Sequence, residues 1–112
     1  MNFYDKIHEL TRCLKETNEY KEYISLKNSL KEDEKAYNLI KEFKNKQNEL
    51  QLNYLNGKEM SKDEEQEMQN MYSLIIQNEK SRKLFENEMK INVMLADLQK
   101  IIGDSLKEFV EF

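Results

Sequence analysis

The 112-residue sequence contains no proline and only two glycines, Gly57 and Gly103. Proline and glycine form tight turns and interrupt regular structure, so few positions in this chain favour the hairpins of a β-protein. Charged residues make up 36% of the chain and hydrophobic residues 38%. Because acidic and basic groups are interspersed, this polarity is compatible with a folded chain. The composition predicts an all-α protein with a small core and a large polar surface.

The length predicts a single helical domain over residues 1–112, since domains commonly contain about 100–150 residues. No apolar run is long enough to cross a membrane, and the first ten residues lack the apolar stretch of a signal peptide. A cytoplasmic location without membrane association is therefore expected. Cys13 is the only cysteine of the sequence, which excludes an internal disulfide framework and a zinc site built from several thiols.

Apolar residues recur at spacings of three and four, the period of a helix face. This pattern predicts five helices in an elongated antiparallel bundle, at about residues 3–16, 17–30, 34–55, 61–77 and 79–109. Asp33 is a candidate N-cap, and Ser61 with Glu64 has the spacing of a capping box. Asn56-Gly57 marks the end of the third helix, because glycine adopts the left-handed conformation without steric cost.

The third helix has a heptad seam with one polar member, Gln47. A buried amide at this position would need hydrogen-bonding partners and would specify register or pairing. The alternative is that this part of the helix is exposed to water. The seam consists of Ala36, Ile40, Phe43, Gln47, Leu50 and Tyr54.

The last predicted helix is too long for the domain that contains it. A continuous helix over residues 79–109 would measure about 46 Å, whereas a compact chain of this length is about 34 Å across. Continuation through Gly103 is expected, although a bend there is an alternative. The surplus apolar side chains predict a homo-oligomer, with a two-fold dimer as the simplest form. The candidate interface residues are Ile91, Leu95, Leu98, Ile102, Leu106 and Phe109.

No group of residues predicts a catalytic, cofactor or metal site. Asp5 and His8 have a spacing that can bind a metal within a bundle, but a di-iron site needs a second such pair. Cys13 lies beside Leu10 and Leu14 in the sequence and is interpreted as a small buried hydrophobe. The methionines at helical spacing are more typical of a core than of an adaptable binding surface. Basic and acidic residues are mixed throughout the chain, so direct nucleic-acid binding is not expected.

Several segments in order resemble the YlbF/YmcA family of small bacterial proteins. They include Glu19-Tyr20-Lys21-Glu22-Tyr23, the run of residues 43–51, Gly57-Lys58-Glu59 and residues 95–102, and Asp5 precedes them. The ending, residues 101–109, is similar to that of YheA-like relatives. Two departures are visible: Glu34 follows Asp33 where relatives often have Asp-Pro, and the single cysteine does not match members that bind iron–sulfur clusters through several cysteines.

The resemblance implies an all-helical, oligomerising regulator without enzymatic activity, from a low-GC Gram-positive bacterium. Members of the family are linked to competence, sporulation and biofilm formation, partly through a complex that adjusts the messenger-processing ribonuclease RNase Y. The expected function is therefore a regulatory adaptor that contacts itself, paralogues or an RNase Y-associated complex through its helices. The alternative is a scaffold or chaperone-like helical protein without a dedicated regulatory target.

Overall fold

The computed structural model describes residues 2–112, and these residues form six α-helices and no strand. The all-α class and the long helix near the C-terminus are confirmed. The helices are α1 (Phe3–Lys15), α2 (Asn18–Leu30), α3 (Glu34–Leu55), α4 (Lys62–Gln77), α5 (Glu79–Ser105) and α6 (Lys107–Val110).

Short polar side chains begin most of these helices by accepting hydrogen bonds from backbone N–H groups that have no partner within the helix. Asn2 Oδ1 accepts from the N–H of Asp5 at 2.9 Å, at the start of α1. Asp33 Oδ1 accepts from the N–H of Ala36 at 3.2 Å, which confirms the predicted N-cap of α3. Asn78 separates α4 from α5, and its side chain accepts from the N–H of the third residue beyond it at 3.0 Å.

The predicted capping box at the start of α4 is present. Ser61 Oγ accepts from the N–H of Glu64 at 3.1 Å, and Glu64 Oε1 accepts from the N–H of Ser61 at the same distance. Glu64 Oε2 also lies 3.7 Å from Lys46 Nζ on α3. The hydrogen bond from the Ser61 backbone, supported by the charges of Lys46 and Lys58, holds the pKa of Glu64 below its ordinary value. The connection from α3 into α4 is thus fixed at its second end.

The first end of that connection is the predicted glycine stop. Gly57 has φ of +86°, a conformation that glycine adopts at no steric cost. The N–H of Lys58 then donates to the carbonyl of Asn53 at 2.8 Å, which satisfies one of the last carbonyls of α3. The turn returns the chain along α3, and the antiparallel helices pack with the Phe43 and Tyr72 rings 6.1 Å apart.

The contacts of the chain divide into two compact units. One unit runs from Ser25 to Leu84, and the other joins the segment ending at Ile24 to the segment beginning at Phe85. The expected single domain of residues 1–112 stays a prediction. Most of the buried apolar side chains lie in the first of these units; the full set is Leu30, Ile40, Phe43, Leu50, Ile75, Leu84 and Phe85.

The end of α5 differs from the prediction of one helix over residues 79–109. The helix continues through Gly103 as expected, but it ends at Ser105, and Leu106 has φ of −109° and ψ of 32°. A separate four-residue helix, α6, follows and makes the helix count six instead of five. Every residue from Asp104 to Phe112 is exposed. These residues therefore have little packing against the rest of the chain. Because a helical segment without packing is only marginally stable in water, the long helix does not continue beyond this point.

Candidate interaction surfaces

Neither residue considered for chemistry lies in a site. Within residues 2–112 no group of three His, Cys, Asp or Glu side chains is arranged to hold a metal ion. His8 is exposed on α1. Cys13 is also exposed, so its interpretation as a buried hydrophobe is wrong. The reason is that its neighbour on the helix face, Leu10, is itself 45% exposed and provides no apolar enclosure.

The six residues predicted as an oligomer interface recur at helical spacing along α5 and into α6, and they are named here the α5–α6 face: Ile91, Leu95, Leu98, Ile102, Leu106 and Phe109. Ile91 and Leu98 are half-buried. Exposure then increases toward the C-terminus, from 48% at Ile102 to 87% at Phe109. The single chain therefore covers the first part of this face partly and leaves its end, at Phe109, in water.

Between residues 90 and 105, charge is confined to the side of α5 opposite its apolar strip. At about 100° per residue, the charged positions between 90 and 105 fall within about 80° of the helix circumference; they are Lys90, Asp97, Lys100 and Asp104. The remainder of α5 in this region is uncharged, which suits contact with another protein surface better than contact with water.

Helix α1 carries a second exposed apolar strip, named here the α1 face: Phe3, Ile7, Leu10 and Leu14. None of the residues Phe3–Lys15 is buried. Phe3 is 70% exposed, and its ring lies edge-on to the ring of Tyr4, with 5.3 Å between the ring centroids. The α1 face is therefore only partly covered in the single chain: Leu14 is half-buried, and exposure is greatest at Phe3.

An apolar groove of about 540 Å³ runs between α3 and α4. Phe43, Leu50, Met60, Met68 and Tyr72 line it, together with Tyr54 and the three glutamines Gln47, Gln51 and Gln69. None of the lining residues is charged. Gln47 is exposed here, as the water-facing alternative expects for the single chain; its proposed role in pairing stays a prediction.

The methionines do not behave as core residues. Met60 is 48% exposed and Met89 is 63% exposed. Met68, Met71 and Met94 are half-buried. The expectation that they belong to the core is therefore wrong for Met60 and Met89, and the other three lie at the margin of a core that consists of a few branched and aromatic side chains.

No helix within the described part of the chain is both long enough and apolar enough to cross a membrane.

The sequence that forms these surfaces matches a known protein family. The profile described as "Control of competence regulator ComK, YlbF/YmcA" matches residues 3–107. The chain belongs to the YlbF/YmcA family. The family description names the control of a regulator, which agrees with the regulatory kind of function expected from the sequence. The matched range includes α1, the groove and most of the α5–α6 face.

Similar proteins within this group carry the designation UPF0342. A UPF0342 protein of Desulfitobacterium hafniense is 36% identical over 106 residues, which cover 95% of this chain and 86% of that protein. Another, from Alkalihalophilus pseudofirmus, is 35% identical over 107 residues and covers 96% and 91% of the two chains. The YlbF/YmcA chain described here therefore has relatives of similar length that match it from end to end.

A solved structure confirms the fold of this YlbF/YmcA chain. The protein of unknown function (DUF964) from Bacillus stearothermophilus superposes with a TM-score of 0.81, covering 96% of this chain and 95% of that chain. The sequence identity is 21%, so the likeness concerns the fold.

Sequence reasoning anticipated the α5–α6 face as a set of residues but missed the α1 face. The signal for α1 was present in its regular spacing of four, three and four residues. That spacing predicts an apolar side, but periodicity gives no information on whether the same chain covers it.

Proposed function

We propose that the protein is a non-enzymatic regulatory adaptor that acts through helix-mediated protein contacts, including self-association through the α5–α6 face. The observation that carries this proposal is the partly exposed apolar set from Ile91 to Phe109, whose α5 members lie on the side of that helix that carries no charge between residues 90 and 105. Membership of a family named for control of the competence regulator ComK supports the regulatory part.

The finer assignment rests on the family membership. We propose a link to competence, sporulation or biofilm regulation and to RNase Y-dependent messenger processing. The proposed binding partners are a second copy of the chain, paralogues, and an RNase Y-associated complex. Nothing in the charge pattern favours direct contact with RNA, since residues 1–56 carry ten basic and ten acidic groups and the rest carry eight and twelve.

Self-association is tested first, by size-exclusion chromatography with light scattering on the full chain. The expected mass is twice the 13.6 kDa of one chain. The double variant Leu98→Gln with Ile102→Gln removes two central apolar side chains of the α5–α6 face and is expected to give a single-subunit mass. Val93→Gln is the matched control, because Val93 is 59% exposed on the charged side of the same helix. A wild-type mass of one subunit up to millimolar concentration would overturn this part of the proposal.

The adaptor role is tested by co-purification from native extract with the tagged full chain as bait. Recovery of RNase Y or of a paralogue, reduced with the Leu98→Gln and Ile102→Gln bait but not with Val93→Gln, is the expected result. Recovery of the homo-oligomer alone under mild conditions counts against the regulatory complex.

The groove between α3 and α4 favours a second candidate function, a scaffold or chaperone-like protein. Its methionines are flexible and polarisable, so the groove can adapt to apolar segments of different shape. This candidate predicts that the protein suppresses the aggregation of unrelated unfolding proteins at equimolar concentration. Absence of suppression would leave the adaptor proposal as the better account.

A further inference from the structure

Two adjoining cavities lie along α3 and α4 and share no lining residue with the apolar groove described above. Their volumes are about 650 Å³ and 450 Å³, and Leu39 and Glu42 line both, so the two form one continuous depression, named here the acidic groove. Along α3 it extends from Lys35 to Glu49, a length of about 21 Å at 1.5 Å per residue. All of its lining residues belong to the compact unit Ser25–Leu84.

The floor of the acidic groove is apolar and only partly covered by the chain. Ile75 is buried, Leu39 and Met71 are half-buried, and Leu74 is 55% exposed. A single exposed leucine is ordinary on a protein surface, but Leu74 lines the same cavity as Leu39 and Ile75. An elongated depression with such a floor suits the apolar face of a helix from another protein.

The rim of the acidic groove carries an excess of negative charge. Lys46 already lies 3.8 Å from a carboxylate oxygen of Glu49 and 3.7 Å from one of Glu64. Glu42 and Glu67 are exposed, and neither forms an ion pair in the part of the chain that the structure describes. The charge that remains for a partner is therefore negative. The full lining contains four carboxylates and two lysines: Asp33, Glu42, Glu49, Glu67, Lys35 and Lys46.

Acidic side chains stand on both walls of the groove, with Glu42 on α3 and Glu67 on α4. Glu67 lies seven residues before Leu74, and Glu42 lies seven residues before Glu49. Positions seven apart fall on nearly the same line of a helix surface, so these carboxylates follow the groove along its length. A helix lying between the walls meets negative charge on both sides of its apolar contacts. Lysine or arginine at its flanking positions is attracted, and aspartate or glutamate is repelled.

We propose that the acidic groove binds a basic amphipathic helix of a partner protein. The apolar face of that helix packs on Leu39, Met71 and Leu74, and its lysine or arginine side chains lie beside Glu42 and Glu67. This inference deepens the adaptor part of the proposed function by naming the chemistry of a partner, and it does not depend on self-association. The apolar groove has no charged lining residue, so the two grooves of the α3–α4 hairpin select partners by different chemistry.

The test titrates the full chain into a fluorescein-labelled synthetic helix and follows the fluorescence anisotropy. The probe is a peptide of about 18 residues, long enough to span the groove, with leucine on one face and lysine on both flanks of that face. The reference peptide has glutamate at every lysine position. The lysine peptide is expected to bind at least about 10-fold more tightly than the glutamate peptide. Equal affinities for the two peptides would overturn the proposal.

The double variant Glu42→Gln with Glu67→Gln removes the two carboxylates that have no ion pair. It is expected to weaken binding of the lysine peptide about 10-fold at low salt, and the difference from wild type is expected to shrink at about 0.5 M NaCl. Glu16→Gln with Glu22→Gln is the matched control, because it changes the net charge equally at exposed positions outside the groove. An equal loss in both double variants would show unspecific attraction to an acidic protein and would overturn the proposal.

The apolar part of the contact is tested with Leu74→Ala. Because about half of the Leu74 side chain is open to a partner, the variant is expected to bind the lysine peptide about 5-fold more weakly, at low and high salt alike. Wild-type affinity in this variant would contradict packing of the peptide on the floor of the groove.

Methyl NMR of the wild-type chain locates the bound peptide without any variant. Shifts are expected at Leu39, Met71 and Leu74, and shifts confined to Leu50 and Met68 in the apolar groove would overturn the proposal.

The outcomes for this inference and for the proposed function are distinguishable. If the lysine peptide binds as expected and wild type is monomeric, the acidic groove stands and the self-association proposal fails. If wild type dimerises and the lysine peptide does not bind, only the inference about the acidic groove fails.

Discussion

Two neighbouring residues of α4, Ile75 and Leu74, allow the contribution of burial to be separated from that of helix formation. Ile75 is 1% exposed, and Leu74 is 55% exposed. Both residues lie in the interior of α4, where the intrinsic helix propensity favours alanine over isoleucine or leucine by a few tenths of a kcal/mol. Any loss of stability therefore comes from the apolar contacts that the side chain makes and from the cavity that it leaves.

The expected magnitudes follow from this difference in burial. Removal of a fully buried isoleucine side chain costs about 2–5 kcal/mol when its surroundings do not collapse into the space. We expect about 3 kcal/mol for Ile75→Ala, because the core contains few large side chains to rearrange. For Leu74→Ala we expect about 1 kcal/mol or less, since about half of its surface is already in water.

The assay is urea unfolding followed by circular dichroism at 222 nm, at one fixed protomer concentration because self-association would raise the apparent stability. For a domain of this size, 3 kcal/mol corresponds to a fall of about 10–15 °C in the melting temperature, measured in parallel. A loss below about 1 kcal/mol for Ile75→Ala, or equal losses for the two variants, would refute the view that Ile75 is a central core residue.

The remaining predictions concern the turn and helix termini. The lowered pKa of Glu64 contributes stability that is complete above its ordinary pKa of 4.5 and is lost as the pH falls through its lower folded value. The melting-temperature difference between wild type and Glu64→Gln should therefore shrink between pH 6 and pH 3, and a constant difference would contradict it. Gly57→Ala places a side chain at φ of +86° and is expected to destabilise by about 1–2 kcal/mol. Gly103 lies within α5, and a Cβ added there would have no other atom within 4 Å. Thermal melting of Gly103→Ala should therefore show a stability higher than wild type by up to about 1 kcal/mol. A lower stability would indicate that a partner approaches this position.

Local chemistry explains why the helices could be predicted from sequence. Asp33, Ser61 with Glu64, and Gly57 act through hydrogen bonds and backbone conformations that involve residues no more than a few positions away. Their effect therefore does not depend on how distant segments pack. The same is true of the five helical segments, whose apolar spacing is a local pattern.

The incorrect predictions concern features that depend on packing between residues far apart in the sequence. The prediction of one helix over residues 79–109 was wrong at Leu106, because the packing that would extend α5 is absent beyond Asp104. Cys13 lies next to apolar residues in the sequence and is exposed, because its side of α1 is not the side on which Leu14 is half-buried. Periodicity identifies which side of a helix is apolar but not what that side contacts.

The sequence by itself therefore determined the fold class, the capped helix starts and the glycine stop of α3, and which residues of the candidate interface are apolar. The tertiary structure decided which apolar faces are covered within the chain, since burial depends on segments far apart in sequence coming together. It placed Leu30, Ile75 and Leu84 in the core and left Phe3 and Phe109 in water.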